Sequence, residues 1–210
     1  MSEVFDWSVK KLIQISASDS PTPGGGSVSA LAASLGVAMV TMVGNLTVGK
    51  EKYKDVEAET QGILDQGNAI IAKLEYLVEA DIAEFSKFMA SLKLPKDTET
   101  EKAERTKVMQ EVLKSATDTP MEIARTCLEI LKLAKALSGI GNKGAISDVG
   151  VGAYLAEASL NSALLSVDIN LPMVKDEEYV ARISAERQNL VTTARQLKEE
   201  AVRVVQSRLK

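Results

Sequence analysis

The segment Pro21-Thr22-Pro23-Gly24-Gly25-Gly26-Ser27 opens onto an uncharged run that continues to Gly49. Two prolines fix their own φ and bias the residues before them away from helix, so the approach reads as extended chain. Three glycines then allow φ > 0 and let another group come close to the bare backbone. From Ser27 onward Ala, Leu, Val and Met follow without a breaker until Gly44, which predicts a helix. A glycine loop opening a helix leaves N–H groups unpaired at the positive end of the dipole. Such a place suits an anion or a polarised carbonyl oxygen, and equally serves as a plain turn and N-cap before a core helix.

The run from Gly24 to Gly49 is long enough to cross a bilayer. It carries Asn45 and Thr47, lacks flanking basic or aromatic anchors, and places Gly26, Ala30, Ser34 and Ala38 on one i, i+4 stripe. A helix apolar on all sides fits the centre of a soluble bundle, with small residues permitting close approach, and no membrane partner is expected.

Working outward, Ser2 is placed to cap a first helix from about Glu3 to Ala17, with Val4, Trp7, Leu12 and Ile15 on its apolar side. Ser16 to Pro23 reads as a loop. Downstream, a helical pattern runs from about Tyr53 to Leu94, with Ile63, Ile70, Leu74 and Leu77 at helical steps, and Pro95 stops it. Lys96 to Lys107 is dense in charge and Thr, predicting a solvated connection into a helix that ends near Ala116. Asp118 or Thr119 with Pro120 marks a new start, because Pro suits the first turn, and this helix runs to about Leu137. Ser138 to Gly144 forms a second glycine loop, after which Ser147 and Asp148 cap a small-residue helix to about Val167. Asn170 to Lys175 is a turn, and Asp176 to about Leu209 a long final helix. No strand pattern or internal repeat interrupts the series. The expectation is an all-α single domain over residues 1–210: a bundle of long, mostly antiparallel helices with two glycine loops at helix N-termini.

Composition narrows the chemistry. With 210 residues and 45% apolar content the chain has material for a substantial core. A net charge of −4 without a Lys/Arg cluster argues against a nucleic-acid groove. The single cysteine, Cys127, lies among apolar helical residues, as a buried inert thiol would. Histidine is absent, so Ser-His-Asp and Cys-His arrangements are impossible and zinc loses its usual nitrogen ligand. Proton transfer therefore falls to Asp, Glu, Lys, Tyr or bound water. The acidic N-terminal residues lack the order of a signal peptide, and a cytoplasmic location is expected. Gly44 to Lys50 matches GxxxxGK, but Glu51 stands where a phosphate-binding loop needs Ser or Thr, and a carboxylate there would repel phosphate.

Asp81 is the sharpest local anomaly. The apolar stripe Ile70, Leu74, Leu77 resumes with Phe85, Phe88 and Leu92, and Asp81 stands in register between. A carboxylate on such a stripe must be paired, hydrogen-bonded or neutral. It is either a site residue of perturbed pKa or half of a structural salt bridge to another helix. Glu84, one turn on, either shares the same cleft or is surface charge. Asp148 fits a first-turn acid with no further role, yet it too follows a glycine loop. The two loops would then face one another across a pocket, with Asn142 and Asp148 supplying polar groups. Lys50 complements the C-terminal dipole of the central helix or serves a site.

Taken together, these residues resemble the cyclodeaminase family of folate enzymes. The matching text is Pro23 to Val28 with its Ala-rich helix, Met42-Val43 through Leu46 to Lys50, and Asp81 with Phe85. It continues with Leu92 to Lys96, Gly141-Asn142 followed by Ser147-Asp148, and Ile169-Asn170-Leu171. Two positions depart from the family pattern, Gly144 and Ser166, where many relatives carry Asn. The resemblance implies an all-α bundle that dimerises and a reduced folate bearing a one-carbon unit as substrate. It implies conversion of 5-formiminotetrahydrofolate to 5,10-methenyltetrahydrofolate with release of ammonia, and, as the close alternative, methenyltetrahydrofolate cyclohydrolysis. A non-catalytic helical binding or assembly module is the remote alternative. On that resemblance Asp81 and Asp148 suit the proton donor and the carboxylate near the developing cation, in either assignment. Lys50 and Gly24, Gly25, Gly26 and Ser27 suit an anionic glutamyl tail or a pterin oxygen, with Asn142 and Ser147 as further polar contacts. No metal or redox cofactor is called for. A homodimer or higher even oligomer is expected, since so many apolar helical faces exceed what one bundle buries.

Overall fold

The computed structural model describes residues 4–210, and the expected Ser2 cap and Glu3 start lie outside them. Six α-helices account for most of this range: α1 (Val9–Ser16), α2 (Gly25–Asn45), α3 (Glu57–Leu92), α4 (Glu99–Ile140), α5 (Ile146–Asn170) and α6 (Glu177–Leu209). Short 3₁₀ turns at Glu51–Val56, Lys143–Ala145 and Leu171–Met173 connect them, and no strand occurs among the described residues. The all-α expectation is met.

The centre of the bundle is α2, packed against α5 and α3 and more lightly against α4, while α4 in turn packs on α3, α5 and α6. Val37 and Val40 of α2, Leu74 of α3, Leu113 and Ile130 of α4, Leu160 of α5 and Ile183 of α6 are wholly or almost wholly buried in one core. The small residues of α2 and α5 have a steric reason. A Cβ added at Gly152 would lie 2.7 Å from the Gly36 carbonyl oxygen and 2.8 Å from Val40 Cγ2, so the two backbones touch. The contact on α2 is at Gly36. The GxxxxGK match ends α2 and is preceded by helix, not by a strand. Cys127 is fully buried, and burial pushes its thiol up to about 12.

Several boundaries differ from expectation, each for a local reason. The first helix starts only at Val9, where the Ser8 hydroxyl accepts the Lys11 N–H at 3.2 Å. The charged stretch 96–107 is mostly helix. Thr98 accepts the Glu101 N–H at 3.2 Å, and Glu101 accepts the Thr98 N–H at 2.9 Å, which closes a reciprocal cap around α4's first turn. The second glycine loop shrinks to Gly141 and Asn142, since α4 continues to Ile140, and α5 begins at Ile146 with Ala145 at its cap position. Ser147 and Asp148 therefore sit inside the first turn of α5 instead of capping it.

The largest difference is at Pro120, which lies inside α4 rather than at a helix start. Proline has no N–H to give the carbonyl one turn back, that of Ala116. The Asn170 side-chain amide donates to that carbonyl at 2.9 Å, so the last residue of α5 supplies the missing bond. The Asn170→Leu variant should cost about 1 kcal/mol, the lower end of the penalty for an unpaired acceptor, because this carbonyl is only part-buried. Adding Pro120→Ala restores a backbone donor and should recover most of that loss. Urea denaturation midpoints of the two variants and of wild type check this, and an Asn170→Leu midpoint equal to wild type would show the Asn170 bond to be dispensable.

Candidate functional site

A cavity of about 280 Å³ opens where the N-terminus of α2 meets α3, α4 and the end of α5. Pro21, Thr22 and Gly24 to Gly26 form one wall, Asp81, Glu84, Phe85 and Phe88 a second, and Ala116, Ser166, Ile169 and Asn170 the third. The volume is near the lower end of the roughly 300–1,000 Å³ usual for ligand pockets. It suits a bicyclic ring better than an extended molecule.

Asp81 sits at the mouth of α2. The Ser27 hydroxyl donates to Asp81 Oδ2 at 2.6 Å, and the Ser27 N–H also bonds the carboxylate. A carboxylate therefore already occupies the positive end of the α2 dipole, supplied by α3. This explains the glycines differently from the sequence expectation. Gly24 has φ −92°, and the one positive φ among the described glycines is at Gly49, φ 74°. Gly25 and Gly26 are helical. A Cβ at Gly26 would overlap the Asp81 carboxylate, its carbon at 2.7 Å from Asp81 Cγ, whereas one at Gly25 would meet nothing within 4 Å. Close approach, not backbone conformation, is what glycine provides here.

Asp81 forms no salt bridge among the described residues, so the ion-pair alternative is not the observed state. Burial is the dominant influence and raises its pKa above the ordinary value, while the two Ser27 bonds act the other way. Glu84 faces the same cavity. Its side chain is only 13% exposed, and Ser115 Oγ donates to its Oε2 at 2.5 Å. The cleft-sharing alternative for Glu84 is thus the one realised.

The second group of sequence candidates lies elsewhere. Asn142 donates from its backbone N–H to Thr47 Oγ1 at 2.8 Å and from its side chain to the Leu46 carbonyl at 2.8 Å. Its Oδ1 accepts from the Gly144 N–H at 3.0 Å and from Tyr53 at 3.3 Å. These bonds tie it to the C-terminal end of α2, one helix of 21 residues away from the cavity, a span of roughly 30 Å. Lys50 and Ser147 are exposed at that end, and Asp148 is partly exposed beside them. Within one chain the two glycine loops do not face each other. Ser166 and Asn170, which sequence reasoning left outside the candidate set, line the cavity instead. The motif Ile169-Asn170-Leu171 was the available signal for the second of them.

An aromatic-walled cleft with a desolvated carboxylate at a helix N-terminus is the equipment of a small-molecule enzyme. The profile described as formiminotransferase-cyclodeaminase matches residues 8–189. A methenyltetrahydrofolate cyclohydrolase of Methylorubrum extorquens is 38% identical over 193 residues, 92% of this chain and 93% of that protein. The formimidoyltransferase-cyclodeaminase of Gallus gallus is 35% identical over 84% of this chain, which spans only 33% of that protein's length. The crystal structure of a formiminotetrahydrofolate cyclodeaminase from Thermotoga maritima superposes with a TM-score of 0.88 at 28% identity, covering 98% of both chains. The chain belongs to the formiminotransferase-cyclodeaminase family and is an enzyme of that family.

The raised pKa of Asp81 makes a signed prediction. Protonation is favoured in the native state, so its contribution to stability is intact below the ordinary aspartate value of 3.8. That contribution is lost as pH rises through the raised native value. Asp81→Asn, which removes the charge, should leave the thermal midpoint equal to or above wild type at neutral pH, with the gap closing in acid. A midpoint difference that grows in wild type's favour as pH rises would show Ser27 and the α2 dipole outweighing burial.

Proposed function

We propose that the chain is a methenyltetrahydrofolate cyclohydrolase. The observation that carries this reading is the Methylorubrum cyclohydrolase, which matches at the highest identity of the relatives described above and over nearly the whole of both chains. The cyclodeaminase expectation becomes the second reading, supported by the Thermotoga enzyme of matching length.

In the hydrolytic reaction a water attacks the carbon bridging N5 and N10 of the methenyl cation. Asp81 as carboxylate takes a proton from that water as the C–O bond forms. The bond from that carbon to N5 then breaks as N5 receives the proton held by Asp81, the remaining hydroxyl proton is released to solvent, and a neutral formyl group remains on N10. A raised pKa makes Asp81 a stronger base near working pH, and its charge favours the bound cation. The first N–H groups of α2, at Gly25 and Gly26, adjoin the cavity and suit a pterin oxygen. For the deaminase, N10 attacks the formimino carbon and ammonia leaves, and the same residue must act as a proton donor. The two reactions thus need opposite protonation states of one group.

Purified protein mixed with 5,10-methenyltetrahydrofolate should bleach the methenyl absorbance, with the rate falling in acid as Asp81 protonates. Asp81→Asn should lower turnover by a factor on the order of 10² or more. Absorbance that instead appears from 5-formiminotetrahydrofolate, with no hydrolysis, would move the assignment to the deaminase. A folded, fully active Asp81→Asn protein would remove Asp81 from the mechanism.

The expected oligomer gives a place for the distant candidates. Val28 and Leu35 of α2 and Val151, Tyr154, Leu165 and Ile169 of α5 are exposed apolar residues on the two central helices. A homodimer whose two-fold axis crosses α2 would lay the two copies antiparallel and carry Lys50 of the partner subunit toward the Gly25 end. Asp148 and Ser147 would travel with it. Mixing Asp81→Asn with Lys50→Ala protein should then restore about one quarter of wild-type activity, because half the dimers carry one intact site. Mixtures no more active than either variant, or a monomer by light scattering, would count against a shared site.

A further inference from the structure

We infer that Glu84 binds the amino-pyrimidinone edge of the substrate's pterin ring and so sets the orientation of the folate; this rests on the folate assignment above. Glu84 is one helical turn beyond Asp81 on α3, and both carboxylates line the cavity. Charged side chains that are only 13% exposed require partners, and Glu84 has two: Ser115 Oγ at 2.5 Å and Lys87 Nζ at 2.7 Å. Each takes one carboxylate oxygen. A carboxylate offers about four acceptor positions, so one on each oxygen remains for a pair of parallel donors. The N3–H and 2-amino group of a pterin are such a pair, adjacent and coplanar.

The other walls agree with this orientation. Phe85 and Phe88 supply apolar surface for the ring faces. Residues three apart on a helix stand about 5–6 Å apart at Cβ, comparable to the span from the amino edge to the N5 side of the bicycle. Glu84 on the amino edge therefore leaves Asp81 at the reacting carbon. Asn170 cannot take the same role, since its amide nitrogen donates to the Ala116 carbonyl and its single oxygen cannot accept both parallel donors as two carboxylate oxygens can. Among the described residues no Lys or Arg lines the cavity, so the glutamyl carboxylates find no counter-charge there and the tail is directed outward. Two carboxylates facing one cavity instead favour a ligand that is cationic at one end and rich in donors at the other.

The competing explanation is that Glu84 only ties α3 to α4 through Ser115. Glu84→Gln separates the two, because it keeps shape and the Ser115 bond while replacing an acceptor with a donor. We expect KM for methenyltetrahydrofolate to rise by about tenfold or more with kcat within about threefold, as when an interaction common to ground and transition states is removed. The second readout is calorimetric binding of 6-methyltetrahydropterin and of its 2-desamino-2-methyl analogue. Wild type should prefer the amino compound by about tenfold or more, and Glu84→Gln should lose that preference. Unchanged KM together with a retained preference would overturn the inference. If Glu84→Gln fails to fold, the comparison of the two pterins on wild type decides, and equal affinities overturn it. Wild-type hydrolysis is measured first: its absence would defeat the folate assignment, whereas its presence with a normal Glu84→Gln KM defeats only the role of Glu84.

Discussion

The bond between Ser27 and Asp81 fixes the geometry on which the site depends. It joins the first turn of α2, the central helix, to the middle of α3 at 2.6 Å, and it is possible only because residue 26 has no side chain. A carboxylate in this position experiences two opposed influences. Burial favours its neutral form, while the Ser27 donors and the α2 dipole favour its charge. Neither alone gives a useful catalyst. An unopposed buried acid would stay protonated, and an exposed one capping a helix would be too weak a base.

The same economy governs how the walls of the cavity are held. Pro120 removes one backbone bond from the longest helix, and the free Ala116 carbonyl faces the end of α5. Asn170 fills that vacancy, which places Ile169 and Asn170 beside Phe85 and Phe88. The next residue back, Asp168, is gripped by Arg187 of α6 through two bonds of 2.6 Å. Thus the third wall is set by polar contacts at its end, whereas the Gly36–Gly152 contact sets the spacing of the helices behind it.

Most of the architecture could be read from the chain, because helix periodicity and apolar stripes are local. The stripe Ile70, Leu74, Leu77 identified the buried face of α3, and Asp81 stood out by sharing its register. What escaped was decided by contacts between distant residues. Pro120 reads as a helix start until Asn170, 50 residues later, is seen to replace the lost donor. The glycines 24 to 26 read either as a site for an anion or carbonyl oxygen or as a plain turn and cap, until the anion proves to be Asp81 itself. Thr98 and Glu101 are the exception, since their reciprocal cap is a short-range pattern that the charge density of the segment obscured. Asn142 misled for another reason: its four bonds around the end of α2 make it a fastening within this chain, and a sequence does not distinguish a satisfied amide from a waiting one.

Placing Asp81 and Glu84 three residues apart on one helix has a mechanical consequence. Their separation is set by helix geometry and does not vary with loop motion, so a ring held at Glu84 meets Asp81 at a fixed reach. The carboxylates also differ in what surrounds them. Glu84 is fixed by a serine hydroxyl and a lysine, whereas among the described residues Asp81 is bonded by Ser27 and meets no cation. One is therefore held in place by fixed partners and the other left able to exchange a proton. This is the division that binding a donor-rich edge and moving a proton at the reacting carbon require of two otherwise identical groups.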